Sequence, residues 1–208
     1  MTIPRVNVIV AATFVATVGD IRRFPDRRKL TGYLGLDPRV RQSGAAPANH
    51  GHISKQGSVS ARHALVEACW STVRQPGAIA GFYQRIRARR GHSIAIVASA
   101  RKLACLFWCL LSRGEDYAFA QPSLTNKKLR RLELASGAPR WQGGRGVWSI
   151  NDAMRHAERE LALQAQRAYE RTVKTGNRRR ASATPGRASS GSSKEQVARQ
   201  TPRPKSAL

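Results

Sequence analysis

Apolar residues crowd positions 6–19, "VNVIVAATFVATVG", without alternation, and the run stops at Gly19. That pattern predicts a buried helix with a glycine end. Pro25 opens a second helix, "DRRKLTGYLG", with Leu30, Tyr33 and Leu34 on its apolar side. From 37 to 58 large hydrophobics thin out and Gly, Pro, Asn and Ser take over, which predicts a loop. Ser58 or Ser60 caps the helix that follows, which runs to about Arg74. Its apolar stripe is Leu65, Val66, Cys69, Trp70 and Val73, with Ser60, His63, Glu67, Ser71 and Arg74 opposite.

Pro76-Gly77 breaks the chain again. Residues 78–90 turn Ile79, Phe82, Tyr83 and Ile86 inward and end in Arg85, Arg87, Arg89 and Arg90, with Gly91 as the helix stop. Residues 93–112 predict the longest apolar helix, with Ile96, Val97, Ala100, Leu103, Ala104, Phe107, Leu110 and Leu111 facing the core. Residues 125–133, "TNKKLRRLE", read as a basic closing segment. Residues 150–173 predict a further helical unit with Ile150, Met154, Leu161 and Ala168 along one side. Few alternating stretches occur, so the predicted fold class is mainly α. The predicted organisation is a helical domain over 1–135, a linker over 136–147, a helical extension over 148–175 and a basic tail over 176–208. That tail is Ser-, Arg-, Pro- and Gly-rich and nearly free of large apolar residues, the composition of a disordered arm.

Charge changes the picture most. The chain of 208 residues holds 37 Lys and Arg against 12 Asp and Glu, a formal charge of +25. Such an excess repels itself in a compact state unless a polyanion shares it, which points to nucleic acid. An anionic membrane surface is the competing partner. The run 6–19 is too short to span a bilayer, and the 93–112 helix carries Arg101 and Lys102 at its middle, so no membrane partner is expected and a cytoplasmic setting is. Cys69, Cys105 and Cys109 lie in apolar helical runs with no Cys-x-x-Cys pair, as small buried hydrophobes in a reducing compartment would.

Chemistry gathers in "RQSGAAPANHGHISKQGSVSARHALVEACW", 41–70. Nucleophilic attack on a phosphodiester needs an exposed hydroxyl, cations for the non-bridging oxygens, and a backbone that permits close approach. Ser43 is a candidate hydroxyl, Arg39, Arg41, Lys55 and Arg62 are candidate cations, and the backbone around Gly51 to Gly57 can form an anion nest. A Ser-Gly pair in a loop is equally the composition of an ordinary turn. His50, His52, His63 and His92 lack a close third ligand, and the scattered acids show no cluster for metal-assisted phosphoryl transfer, so no metal is expected in this chain.

The same residues carry a resemblance. The stretch "IRRFPDRRKLTGYLGLDPRVRQSG…HGHISKQGSVSARHALVEACW" resembles the C-terminal domain of DEDD-type insertion-sequence transposases, relatives of the Piv and MooV DNA invertases. The signature runs from "RF" through "YLGLDPR" and "QSG" to "G-x-ISKQG" and "R-x-x-L", then continues in "ARKLACLFWCLL" and "GEDY". The likeness covers roughly residues 3–133, and "GVWSINDAMRHAERELALQAQRAY" looks like an extension found in a subset of the family.

The resemblance implies a compact helical DNA-recombinase domain. It implies a serine that becomes joined to DNA, falling on Ser43, with Ser54 as the alternative. Lys55, Gly57 and Arg62 fall on the family's basic loop and helix start; with Arg39, Arg41, Arg101 and Lys102 they are the expected nucleic-acid contacts. Relatives also carry an N-terminal RuvC-like domain whose acids bind magnesium. That domain is expected to be missing here, so the chain is expected to be inactive alone. The expected partners are DNA, a guide RNA as in some relatives, the RuvC-like domain of a full-length relative, and further copies in an active assembly. The alternative is a non-catalytic nucleic-acid-binding remnant of a decayed transposase. A basic ribosome-associated protein fits the charge but not the motif set. One departure stands out: relatives read Ile-Pro-Gly, whose glycine allows a tight turn in a helix-hairpin-helix-like segment, where this chain has Ile3-Pro4-Arg5, so non-specific DNA gripping by that segment is not expected here.

Overall fold

The computed structural model describes residues 2–42, 44, 49–140 and 148–182. Among them lie seven α-helices and one two-stranded hairpin, so the fold is mainly α. Helix α1 (Val8–Val18) starts where the Asn7 side chain accepts the Val10 N–H at 2.8 Å, and stops at Gly19 with φ 64°. Although α1 is apolar all round, its buried stripe is Val10, Phe14 and Val18, at i, i+4 and i+8. The turn before it forms despite the arginine. Val6 N–H donates to the Ile3 carbonyl at 3.3 Å, and Arg5 takes the left-handed φ of 66° that glycine adopts freely. For an L-residue that conformation costs about 1–2 kcal/mol.

A short 3-10 turn (Ile21–Arg23) leads into α2 (Arg27–Tyr33). Leu30 and Leu34 are fully buried, but Tyr33 departs from the expected apolar side: it is 41% exposed. Its ring lies on Phe24 at 5.2 Å, while its hydroxyl donates to the Thr17 carbonyl, so only its apolar body is covered.

Helix α5 (His92–Arg113) is the axis of the core. It contacts α2, α3 (Val59–Thr72) and α4 (Ala78–Arg90), while α1 closes over α3. Ala95, Ile96, Ala100, Leu103, Ala104 and Phe107 are buried along it, and Phe14 meets Phe107 edge-on at 4.8 Å. By length and composition α5 could cross a membrane. Its packing on three helices, with Arg101 ion-paired at mid-length, is that of a core helix. Leu111 was expected inward and is 46% exposed. Burial fades along the last turn before Gly114, where Leu110 is already only half-buried.

The expected loop over 37–58 is instead partly a hairpin. Strand β1 (Pro38–Arg41) pairs antiparallel with β2 (Asn49–Ile53), in the register Pro38 with Ile53, Val40 with His50 and Arg41 with Asn49. One extra residue on β2 makes a bulge between the first two pairs. Arg39, Val40 and Arg41 are all exposed. With neither face dry, the sequence has no reason to alternate, which is why composition read this hairpin as a loop.

Helix α6 (Pro122–Ala135) begins with proline at its first position and α7 (Trp148–Ser182) packs on α6 and α4. The seam is small and polar. Ala162 and Ala165 are buried, and Glu158, 6% exposed, accepts the Ser123 backbone N–H at 2.8 Å and the Ser123 hydroxyl. A carboxylate there faces the positive end of α6. A Cβ on Gly81 would come within 3.0 Å of the Tyr169 ring, so the glycine admits the tyrosine.

The predicted face of this helix is therefore corrected. Met154, Leu161 and Ala168 are exposed, because the helix is seated by alanines rather than by its large aliphatics. The side chain of Ile150 lies outside the described residues. The boundary of the tail also moves: helix α7 continues past Gly176 to Ser182, on good helix formers such as Arg178 to Arg180. Residues 183–208, and residues 141–147 of the expected linker, lie outside the described residues.

Candidate nucleic-acid interface

Two short loops interlock at the base of the hairpin. Gly35 has φ 69° and Gly57 has φ 118°. A Cβ on Gly35 would collide with the backbone of Gln56, and one on Gly57 with the Tyr33 carbonyl. Only glycine permits either approach. Across this contact Ser54 N–H donates to the Asp37 carbonyl at 2.7 Å and Lys55 N–H to the Gly35 carbonyl at 3.0 Å. Lys55 itself takes a left-handed φ of 58°, uncommon for a residue with a side chain. Arg62, from the first turn of α3, fastens both loops: its Nη1 donates to the Leu34 carbonyl at 3.2 Å and to the Gly57 carbonyl at 2.9 Å. The helix start is fixed by Ser58, whose hydroxyl accepts the Ala61 N–H at 3.2 Å. The motifs "YLGLD" and "ISKQG" thus form one backbone clasp.

The clasp brings together Arg39, Lys55, Gly57 and Arg62. Arg39 reaches across the hairpin and donates to the Ser54 carbonyl at 3.2 Å. Lys55 is exposed and forms no ion pair among the described residues. Arg41 stands apart, at the end of β1 opposite Asn49. Arg101 is tied to the same region through Asp37, with an ion pair of 2.8 Å, and the Thr31 hydroxyl donates to the same carboxylate oxygen at 2.8 Å. Its charge is thus already partnered, whereas its neighbour Lys102 is exposed. Arg101, Lys102 and Arg27 lie near Cys105, whose thiol is pushed up by burial and drawn back by those cations. Of the two candidate serines, Ser43 lies outside the described residues. Ser54 is half-buried, and both of its backbone polar groups are engaged in the hairpin base. The side chain of His50 is also outside the described residues; His52 is exposed.

A groove of about 600 Å³ runs from the clasp along the outer side of α3. Its lining combines Lys55, Arg62 and His63 with the apolar Leu36, Ile53 and Val66, and with Glu67 and Trp70 further along α3. Trp70 was expected in the core stripe, yet it is 44% exposed. The ring touches His92 at 4.7 Å, and His92 Nδ1 is hydrogen-bonded to the Tyr83 hydroxyl at 2.6 Å. Sequence reading missed this side because it merged two faces. At 100° per residue Trp70 lies within about 20° of His63 and about 140° from Leu65, so a helical wheel separates them.

Residues 1–84 match a family model described as Transposase IS116/IS110/IS902 family. The transposase for insertion sequence element IS1111A of Coxiella burnetii is 35% identical over 120 residues, 56% of this chain and 33% of that protein. Over this part the chain is similar to the IS116/IS110/IS902 transposase family. Further similar proteins include the IS110 43.6 kDa protein of Streptomyces coelicolor, 30% identical over 59% of this chain and 30% of its own length. The IS900 42 kDa protein of Mycobacterium paratuberculosis is 29% identical over 60% and 31%. The segment spans about a third of the length of these curated relatives. The matched residues contain the whole clasp, the hairpin and all of α3. Among the described residues of the segment no three His, Cys, Asp or Glu side chains gather to hold a metal ion. These described residues do not fit a magnesium site.

Proposed function

We propose that this segment, like a transposase, grips DNA at the base of its hairpin, and that Ser43, two residues beyond Arg41 in the sequence, is the nucleophile toward a phosphodiester of the gripped strand. The observation that carries the reading is the clasp. It spends two glycines, a left-handed lysine and an arginine on holding three cations, from Arg39, Lys55 and Arg62, around one strand pair. Cations fixed in advance on a rigid backbone suit the charge that builds on phosphate oxygens during attack. In the proposed step the Ser43 oxygen bonds to phosphorus, the bond from phosphorus to a deoxyribose oxygen breaks, and that oxygen takes up a proton. The serine proton leaves to a base contributed by the rest of the assembly. A RuvC-like domain, further copies of the chain and a guide RNA belong to that proposed assembly. Ser54 is the alternative nucleophile. Its place in the clasp, with both backbone groups engaged, favours a positioning role for it.

The test is reconstitution with the RuvC-like domain of a relative, magnesium and a matched DNA, scored by the covalent protein–DNA adduct. Ser43→Ala is expected to abolish the adduct while changing DNA affinity by less than about twofold, since a hydroxyl contributes little to a binding set by phosphate charge. Ser54→Ala is expected to slow adduct formation without abolishing it. An adduct that persists in Ser43→Ala and vanishes in Ser54→Ala reverses the assignment. An active system indifferent to both leaves the hairpin as a phosphate grip only.

A further inference from the structure

We infer that the groove along α3 holds an unpaired nucleotide of a DNA strand, with its base stacked on Trp70 and its phosphate directed to Lys55 and Arg62. The inference rests on the DNA-binding reading above and specifies what that surface takes. Helix α3 buries one side completely, at Ala61, Leu65 and Cys69, and still leaves a tryptophan 44% exposed on the other. Tryptophan is a costly residue to leave wet, and here the ring is held rather than loose. It rests on His92, which the Tyr83 hydroxyl holds at 2.6 Å.

A held aromatic ring beside cations is the arrangement that binds single strands, because every base has a face to stack and every nucleotide a phosphate to pair. Base pairs inside a duplex have their faces covered by their neighbours, so only an unpaired base can lie on the ring. The space of about 600 Å³ falls in the range of small-ligand sites. Charge runs the right way along it. Lys55, Arg62 and His63 stand toward the clasp, and Arg89 and Arg90 end α4 just before the His92 that supports the ring. Glu67 lies one turn from both His63 and Trp70, and its carboxylate excludes phosphate from the middle of the groove. It can accept from a base amino group instead.

The experiment compares a short single strand bearing bases with an abasic strand of the same length, and with duplex DNA, by fluorescence anisotropy at fixed salt. Wild type is expected to prefer the base-bearing strand to the abasic one by about tenfold or more. Trp70→Ala is expected to erase that preference while leaving duplex and abasic affinities within about threefold, and Trp70→Phe to keep most of it. Thermal unfolding of each variant accompanies the titration, so that a folding defect is read directly. Wild type that binds DNA without preferring bases, or a Trp70→Ala variant that weakens all three ligands alike, overturns the inference and leaves the DNA-binding reading standing. Wild type that binds no DNA overturns both. A tryptophan-dependent preference seen with an RNA strand and absent with DNA overturns the assignment to DNA.

Discussion

The two sides of α3 are built on opposite terms. The inner side, Ala61, Leu65, Ala68 and Cys69, is closed to solvent and touches the rest of the core. The outer side carries Arg62, His63, Glu67 and Trp70 into an open groove. The inner side has no polar atom to satisfy beyond the Thr72 hydroxyl, which donates to the Ala68 carbonyl at 2.8 Å. On the outer side Arg62 is committed at one nitrogen to two carbonyls, and Trp70 to one histidine. If the proposed DNA site is right, one helix separates stability from recognition, and substitutions on its two sides ought to move different measurements.

The largest effect is expected from Leu65→Ala. Leu65 is fully buried, and truncation of such a residue costs about 2–5 kcal/mol through lost transfer and the cavity left behind. Chemical denaturation should show that loss, while DNA affinity of the protein that remains folded stays unchanged. A matching fall in affinity would mean that the two sides are coupled. Arg62 comes next and is the one residue expected to move both readouts. Arg62→Ala should cost about 1 kcal/mol or more for the bonds to Leu34 and Gly57, and lower the salt dependence of DNA binding by about one phosphate. Arg62→Lys should keep the salt slope and still lose stability, because an ammonium cannot copy the guanidinium geometry.

The smallest effect is chemical. Burial pushes the Cys69 thiol from 9.0 up to about 12. The folded state therefore disfavours the thiolate, and the stability this group contributes is complete below pH 9 and is lost as pH climbs from about 9 toward about 12. Iodoacetamide at mildly alkaline pH should leave Cys69 unmodified in folded protein and modify it once denaturant is added, read by peptide mass spectrometry. Rapid labelling of Cys69 in folded protein would show that the inner side opens.

How far the sequence carried depends on the kind of contact. Helix ends were legible because single residues make them: Gly19, Ser58 and Gly91 stop or cap where their chemistry requires. The buried stripe of α5 was legible up to Phe107 because large aliphatics recur at helical spacing. The hairpin was not, because its strands have no dry face to mark. The seat of α7 was not, because alanines and one carboxylate make it, while Met154 and Leu161 advertise a face that stays wet. The site was legible only in part. Lys55 and Arg62 could be named from charge and glycine context, but the clasp between "YLGLD" and "ISKQG" is backbone against backbone, and composition records only its glycines. Trp70 was misassigned because a hydrophobic residue is counted as core before its angle on the wheel is considered.

Because the clasp sets Gly35 against Gln56 and Gly57 against Tyr33, everything between the two loops is a cassette whose ends are sewn together. The helices behind it respond to the stitch and not to the length of cloth. Lengthening such a loop raises its closure entropy only logarithmically, by about 0.6 kcal/mol per doubling. A chain built this way can exchange one hairpin for a longer or differently charged one while the core that carries it is inherited unchanged.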